Sequence, residues 1–157
     1  MLLSLRWGNE IARNSGNLDL EEEDTVRVSE YENLQKGIRE LDLGKIDSVQ
    51  FPYRGRRTHI TIETDEFTSI CPKTGLPDFG KITVHYLPDR KIVELKSFKL
   101  YLHRYRNVGI FQENAVNKIL DDLVRSCSPK FMTVIGEFKA RGGLKTRIVA
   151  RFEKVKS

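Results

Sequence analysis

The sequence predicts an α+β fold in the order β-β-α-α-β-β, an antiparallel sheet with its helices on one face. Three observations predict it: two-residue alternation after Arg57, a change to helical spacing after Leu95, and a return to strand-like runs after Pro129. In the first strand Ile60 and Ile62 share one face, and His59, Thr61 and Glu63 share the other. A Pro/Gly-rich turn follows, and then Lys81–Leu87 points Ile82, Val84 and Tyr86 inward. Pro88-Asp89-Arg90 closes that strand, and a short extended piece covers 91–95. Phe98, Tyr101, Leu102 and Tyr105 then recur at i, i+3, i+4 and i+7, the apolar stripe of a helix that Asn107-Val108-Gly109 breaks. A longer helix carries Val116, Ile119, Leu120, Leu123 and Cys127 on one face and ends before Ser128-Pro129. Phe131–Phe138 and Thr146–Phe152 complete the sheet across Arg141-Gly142-Gly143. Residues 1–50 lack sustained periodicity apart from a short helix expected at 28–41. They read as an N-terminal extension to a domain over 51–157.

The composition is that of a soluble globular protein, with 39% hydrophobic and 31% charged residues in 157. No apolar run is long enough to span a membrane, and the N-terminus lacks the basic region of a signal peptide. The expected compartment is the reducing cytosol. The net charge of +5 hides an asymmetry, acidic from Asp19 to Asp24 and basic from Lys96 to Arg106. A basic segment can bind nucleic acid or a phosphorylated small molecule, although a solvated helix face is the commoner case. Aromatics do not recur among these bases in an RNP-like pattern.

The most informative segment is Ser69-Ile70-Cys71-Pro72-Lys73-Thr74-Gly75-Leu76-Pro77-Asp78-Phe79-Gly80. One turn carries a thiol and a carboxylate, and loops held by a rigid scaffold commonly bear catalytic groups. A thiol attacks as thiolate, which needs a nearby base or positive charge. The residues alone leave two readings of Cys71 open, a nucleophile and a small buried hydrophobe. Cys127 lies on a core stripe. Gly75 to Lys81 matches the glycine and lysine spacing of a P-loop, but Ile82 replaces the hydroxyl residue and a strand follows where a helix is required. No G-x-G-x-x-G follows a strand, and the cysteines and His59, His85 and His103 have no metal-ligand spacing.

Val93-Glu94-Leu95-Lys96-Ser97-Phe98-Lys99-Leu100-Tyr101 resembles the signature of the 7-cyano-7-deazaguanine reductases, the nitrile reductases of queuosine biosynthesis. The resemblance runs from Thr68-Ser69-Ile70-Cys71-Pro72 through Gly75, Pro77-Asp78-Phe79, Arg106-Asn107 and Phe111-Gln112-Glu113 to Gly136-Glu137-Phe138 and Arg141-Gly142-Gly143. It covers roughly Arg57 to Arg151 and is similar to the short, single-domain form.

The resemblance implies a tunnelling fold (T-fold) and NADPH-dependent reduction of a nitrile to an amine. It implies Cys71 as the nucleophile that forms a thioimide, and Asp78 as general acid/base. Val93, Glu94, Leu95, Gln112 and Glu113 correspond to substrate contacts, Glu113 accepting from the guanine-like N–H edge. The family often carries histidine where this chain has Gln112, which hydrogen-bonds but cannot carry a proton. Lys96, Lys99 and Arg141 match positions around the NADPH phosphates. No metal is implied, and no direct nucleic-acid partner. A homo-oligomer of two stacked pentamers is expected, with active sites between subunits. A pterin or GTP cyclohydrolase relative is the rival enzyme reading, and a basic RNA-binding module the rival from another class.

Overall fold

The computed structural model describes residues 34–155. They form strands β1 (Ser48–Gln50), β2 (Ile60–Ile70), β3 (Pro77–Leu87), β4 (Lys91–Val93), β5 (Phe131–Phe138) and β6 (Arg147–Glu153), with helices α1 (Leu95–His103) and α2 (Gln112–Cys127). Four strands make an antiparallel sheet in the order β2-β3-β5-β6, and β1 pairs antiparallel with β4. The predicted α+β architecture and the β-β-α-α-β-β succession of its main elements are therefore present.

Both helices pack on one face of the sheet. Val84, Tyr86, Met132 and Val134 meet Tyr101, Tyr105, Val116, Ile119 and Leu123 in a common core. The predicted stripes are buried: Phe98, Tyr101 and Leu102 on α1, and Val116, Ile119, Leu120, Leu123 and Cys127 on α2. Tyr105 is buried as well, but on a 3-10 turn (Arg104–Asn107) that continues from α1. A polar network joins the helices, in which the Tyr101 hydroxyl donates to Asp122 Oδ2 at 2.6 Å. Lys118 Nζ pairs with the same oxygen at 3.2 Å.

The structure lengthens two predicted strands and adds one. β2 runs on to Ile70 through a bulge between Thr64 and Phe67, which breaks the alternation by which a strand is recognised. β3 starts at Pro77, a first strand position where the missing N–H costs no ladder bond. Asp78 consequently lies in a strand and not in the turn. β1 is only three residues long, too short for any periodicity to announce it. The described part of the expected extension packs on the body, burying Leu43 and Ile46. Within the helix expected at 28–41, residues 28–33 and the acidic run at 19–24 lie outside the described residues. The remainder contains a 3-10 turn at Ile38–Glu40.

Candidate active site

Three loops meet at one end of the sheet: 71–76 between β2 and β3, 108–111 before α2, and 139–146 between β5 and β6. The first two are tied together, because Ile70 N–H donates to Val108 O at 2.9 Å and Ile110 N–H to Ile70 O at 3.0 Å. This fixes the end of β2 against the start of α2. The hairpin then closes on itself, with Cys71 N–H donating to Leu76 O and Gly75 N–H to Cys71 O, both at 2.9 Å. Gly75 adopts φ +68°, a conformation that favours glycine. The other glycine of the P-loop-like spacing, Gly80, serves close strand contact: a Cβ there would lie 2.9 Å from the Glu137 backbone oxygen.

Asp78 is 3% exposed and opposes the buried Ser69 across the β2–β3 ladder. Its Oδ1 accepts from Arg141 Nη1 at 2.6 Å and from Gln112 Nε2 at 3.1 Å. An ionised carboxylate can only accept, so Gln112 must present its NH₂ to Asp78 and its carbonyl to Thr146, whose hydroxyl donates to it. Arg141 also reaches Thr74 Oγ1 at 2.9 Å through Nη2. With both of these bonds on Oδ1, Oδ2 is the oxygen of Asp78 better placed to carry a proton.

The half-buried Cys71 faces the same guanidinium. Burial alone raises its thiol, but hydrogen bonds from the Thr74 and Arg141 side chains and from the Thr74 and Lys73 backbone N–H groups outweigh that effect. They bring it down to about 7. Cys127, in the core, is pushed the other way by burial, to about 11. The two cysteines thus differ as a reactive and an inert thiol should.

Cys71, Asp78, Gln112 and Arg141 therefore come together, with the exposed Glu113 beside Gln112 in the first turn of α2. A carboxylate is favourable at that helix end. The expected residues Val93, Glu94, Leu95, Lys96 and Lys99 lie elsewhere in the same chain. Val93 N–H donates to the Tyr86 hydroxyl at 3.1 Å. Tyr86 and Asp78 stand near opposite ends of β3, roughly 25 Å apart at the usual strand rise. Glu94 caps α1, accepting from Ser97 N–H at 2.7 Å and Lys96 N–H at 2.8 Å. These bonds, Ser97's first, hold its carboxyl below the usual range. Lys96 and Lys99 are exposed and make no ion pair among the described residues. Two uncommitted cations one helical turn apart fit the phosphates of a dinucleotide. Arg141, expected with them, has its guanidinium in the Cys71–Asp78 cluster.

Thr74 and Thr146 were not singled out from sequence. Thr74 sits among turn residues that would attract notice anyway, whereas nothing local marks Thr146. A cavity of about 800 Å³ between loop 39–48 and α2 contains none of the predicted residues. Among the described residues no group of three metal-ligating side chains occurs, and no helix is long and apolar enough to cross a membrane.

The family model described as QueF-like protein matches residues 77–157. The NADPH-dependent 7-cyano-7-deazaguanine reductase of Caldanaerobacter subterraneus subsp. tengcongensis is 54% identical over 118 residues, covering 75% of this chain and 88% of that protein. Its counterpart in Elusimicrobium minutum is 62% identical over 95 residues, covering 60% of this chain and 72% of that protein. The crystal structure of the archaeosine synthase QueF-Like in the apo form superposes with a TM-score of 0.59 at 21% identity. The match covers 64% of this chain and 99% of that one, and it establishes likeness of fold.

Proposed function

This chain belongs to the QueF-like family, with curated relatives that are NADPH-dependent 7-cyano-7-deazaguanine reductases, and we propose that it reduces 7-cyano-7-deazaguanine to 7-aminomethyl-7-deazaguanine in queuosine biosynthesis. The observation that carries the reading is a thiol brought to about 7 beside a buried carboxyl, on two elements locked together by Arg141.

In the proposed reaction the Cys71 sulfur pair forms a bond to the nitrile carbon. The π pair moves to nitrogen, which takes a proton from Asp78, giving a thioimide. Bound NADPH supplies hydride, once to the thioimide carbon and once more, from a second molecule, to the imine. Between these steps the nitrogen is protonated again and the carbon–sulfur bond breaks, returning its pair to Cys71. Two hydrides and two protons thus convert nitrile to amine. Gln112 and Arg141 hold Asp78 in place throughout. Glu113 accepts from the guanine-like N–H edge, a charge-assisted contact suited to that base. Lys96 and Lys99 hold the cofactor phosphates.

Val93, Glu94 and Leu95, and Lys96 beside them, are too far along the sheet to reach a substrate on Cys71 of their own chain. We assign them to the site of an adjoining copy, in a homo-oligomer of two stacked pentamers in the cytoplasm. Among the described residues no strand pairs with the outer edge of β6 or, short of Ile70, with that of β2, which supports assembly, since proteins normally cover such edges.

Purified protein given the nitrile should consume two NADPH per substrate, followed by loss of reduced-nicotinamide absorbance. No consumption with folded, assembled protein would refute the assignment. Full activity in a sedimenting monomer would refute the shared site.

A further inference from the structure

We propose that Ser69 is a positioning residue for the acid: its buried hydroxyl turns to Asp78 Oδ2 as that oxygen gives its proton to the substrate, and holds the carboxylate so formed. The role rests on the reading of Asp78 as general acid.

Two groups with complementary needs stand opposite each other on neighbouring strands. Ser69 is fully buried, and among the described residues its Oγ is the buried side-chain polar atom that lacks a hydrogen-bond partner. Asp78 is its direct partner in the β2–β3 register. Directly opposed residues share one face of a sheet, with Cβ atoms about 4.5–5.5 Å apart, so a turn about χ1 brings a serine hydroxyl to a carboxylate there. That face is the helix-covered one, since Phe67, two residues before Ser69, is buried in the core. The hydrogen bonds to Asp78, from Arg141 at 2.6 Å and Gln112 at 3.1 Å, both end on Oδ1. Once its proton has left, Oδ2 therefore needs a donor. Arg141 is already shared with Thr74, and the Gln112 amide is fixed by Thr146. Ser69 brings a proton that no other group uses.

A buried hydroxyl without a partner costs folding stability, and alanine would fill the same place without that cost. The chemistry accounts for the serine. While Asp78 holds its proton, the carboxyl is neutral and makes little demand on a further donor. As the proton passes to the nitrile nitrogen, negative charge grows on the carboxylate, and the Ser69 O–H donates to it. Ser69 keeps its own proton throughout, so the balance of the reaction is unchanged. A contact that strengthens only as charge develops lowers the barrier without tightening the hold on substrate. Ser69 thus acts on the rate of adduct formation, through Asp78, at the expense of stability.

The test compares wild type, Ser69→Ala, Asp78→Asn and the double variant by melting temperature and by intact-mass time courses with 7-cyano-7-deazaguanine, without NADPH. Ser69→Ala should melt at the wild-type temperature or about 2–4 °C above it, because an unpartnered buried hydroxyl is removed. Its adduct should form about 10–100-fold more slowly at saturating nitrile, the loss of one hydrogen bond to a charged group. The nitrile concentration giving half the maximal rate should not change. Iodoacetamide should alkylate Cys71 at the wild-type rate. In the Asp78→Asn background, Ser69→Ala should slow the adduct no further, since an amide develops no charge. Adduct formation at the wild-type rate in Ser69→Ala would overturn the proposal, with the reading of Asp78 left standing. So would slowing that comes with a lower melting temperature, with equal slowing of iodoacetamide, or with a second full loss in the double variant. Absence of a nitrile adduct in the wild type would instead overturn the reading of the site, and the role of Ser69 with it.

Discussion

Replacing Asp78 by Asn separates proton delivery from thiol activation. The change keeps the side-chain shape, and an amide oxygen in place of Oδ1 can still accept from Gln112 and Arg141. The lost part is the charge assistance of the 2.6 Å contact to Arg141. Charge roughly doubles such a bond, so with Arg141 35% exposed the cost is about 1 kcal/mol. A melting temperature lower by about 2–4 °C follows. The loss in rate is far larger. Without an acid to protonate the nitrile nitrogen, adduct formation should slow about 10²–10⁴-fold, equivalent to about 3–5 kcal/mol of barrier. Arg141 meanwhile loses its competing anion and remains beside Cys71, so iodoacetamide should alkylate Cys71 at least as fast as in the wild type. The assay pairs intact-mass time courses with the nitrile, without NADPH, and with iodoacetamide. Adduct formation at the wild-type rate would refute Asp78 as the acid. Equal slowing of both reactions would mean that Asp78 acts through the thiol and not on the substrate.

Near pH 8 one equivalent of iodoacetamide should label Cys71 and leave Cys127 intact, because their thiols sit at about 7 and about 11; peptide mapping reads the ratio. A thiol lowered by folding stabilises the protein above its unfolded range near 9, and that contribution is lost as pH falls through about 7. The melting-temperature gap between wild type and Cys71→Ala should accordingly widen as pH rises over that window. Gly80→Ala should cost about 1–3 kcal/mol in urea unfolding, since its Cβ would meet the Glu137 backbone oxygen and the Phe138 ring at 2.9 Å. Tyr101→Phe should cost about 1–3 kcal/mol in the same measurement, because half-buried Asp122 loses its 2.6 Å donor while keeping Lys118.

The local pattern of the sequence determined the secondary elements, because burial on one face imposes a period that neighbouring residues reveal. The stripes Phe98–Tyr105 and Val116–Cys127 and the inward set Ile82, Val84, Tyr86 follow from that constraint, and the structure buries them. The inert character of Cys127 was legible for the same reason. Where the period fails, so does the reading: the bulge after Thr64 hid the second half of β2, and β1 is shorter than any period. The site was legible only as parts. Cys71 and Asp78 are close in sequence and were paired at once. That Asp78 is held by Gln112 and Arg141, and that Thr146 orients Gln112, depends on three loops converging at one end of the sheet. That convergence is set by strand register and helix packing over separations that no local pattern encodes. Register likewise sends Glu94 and Lys96 to the opposite end of β3 from Asp78, although the resemblance gathers them all at one site. A hydrogen-bonded cluster is a property of where chain segments meet, and only the packed tertiary structure decides which groups face one another.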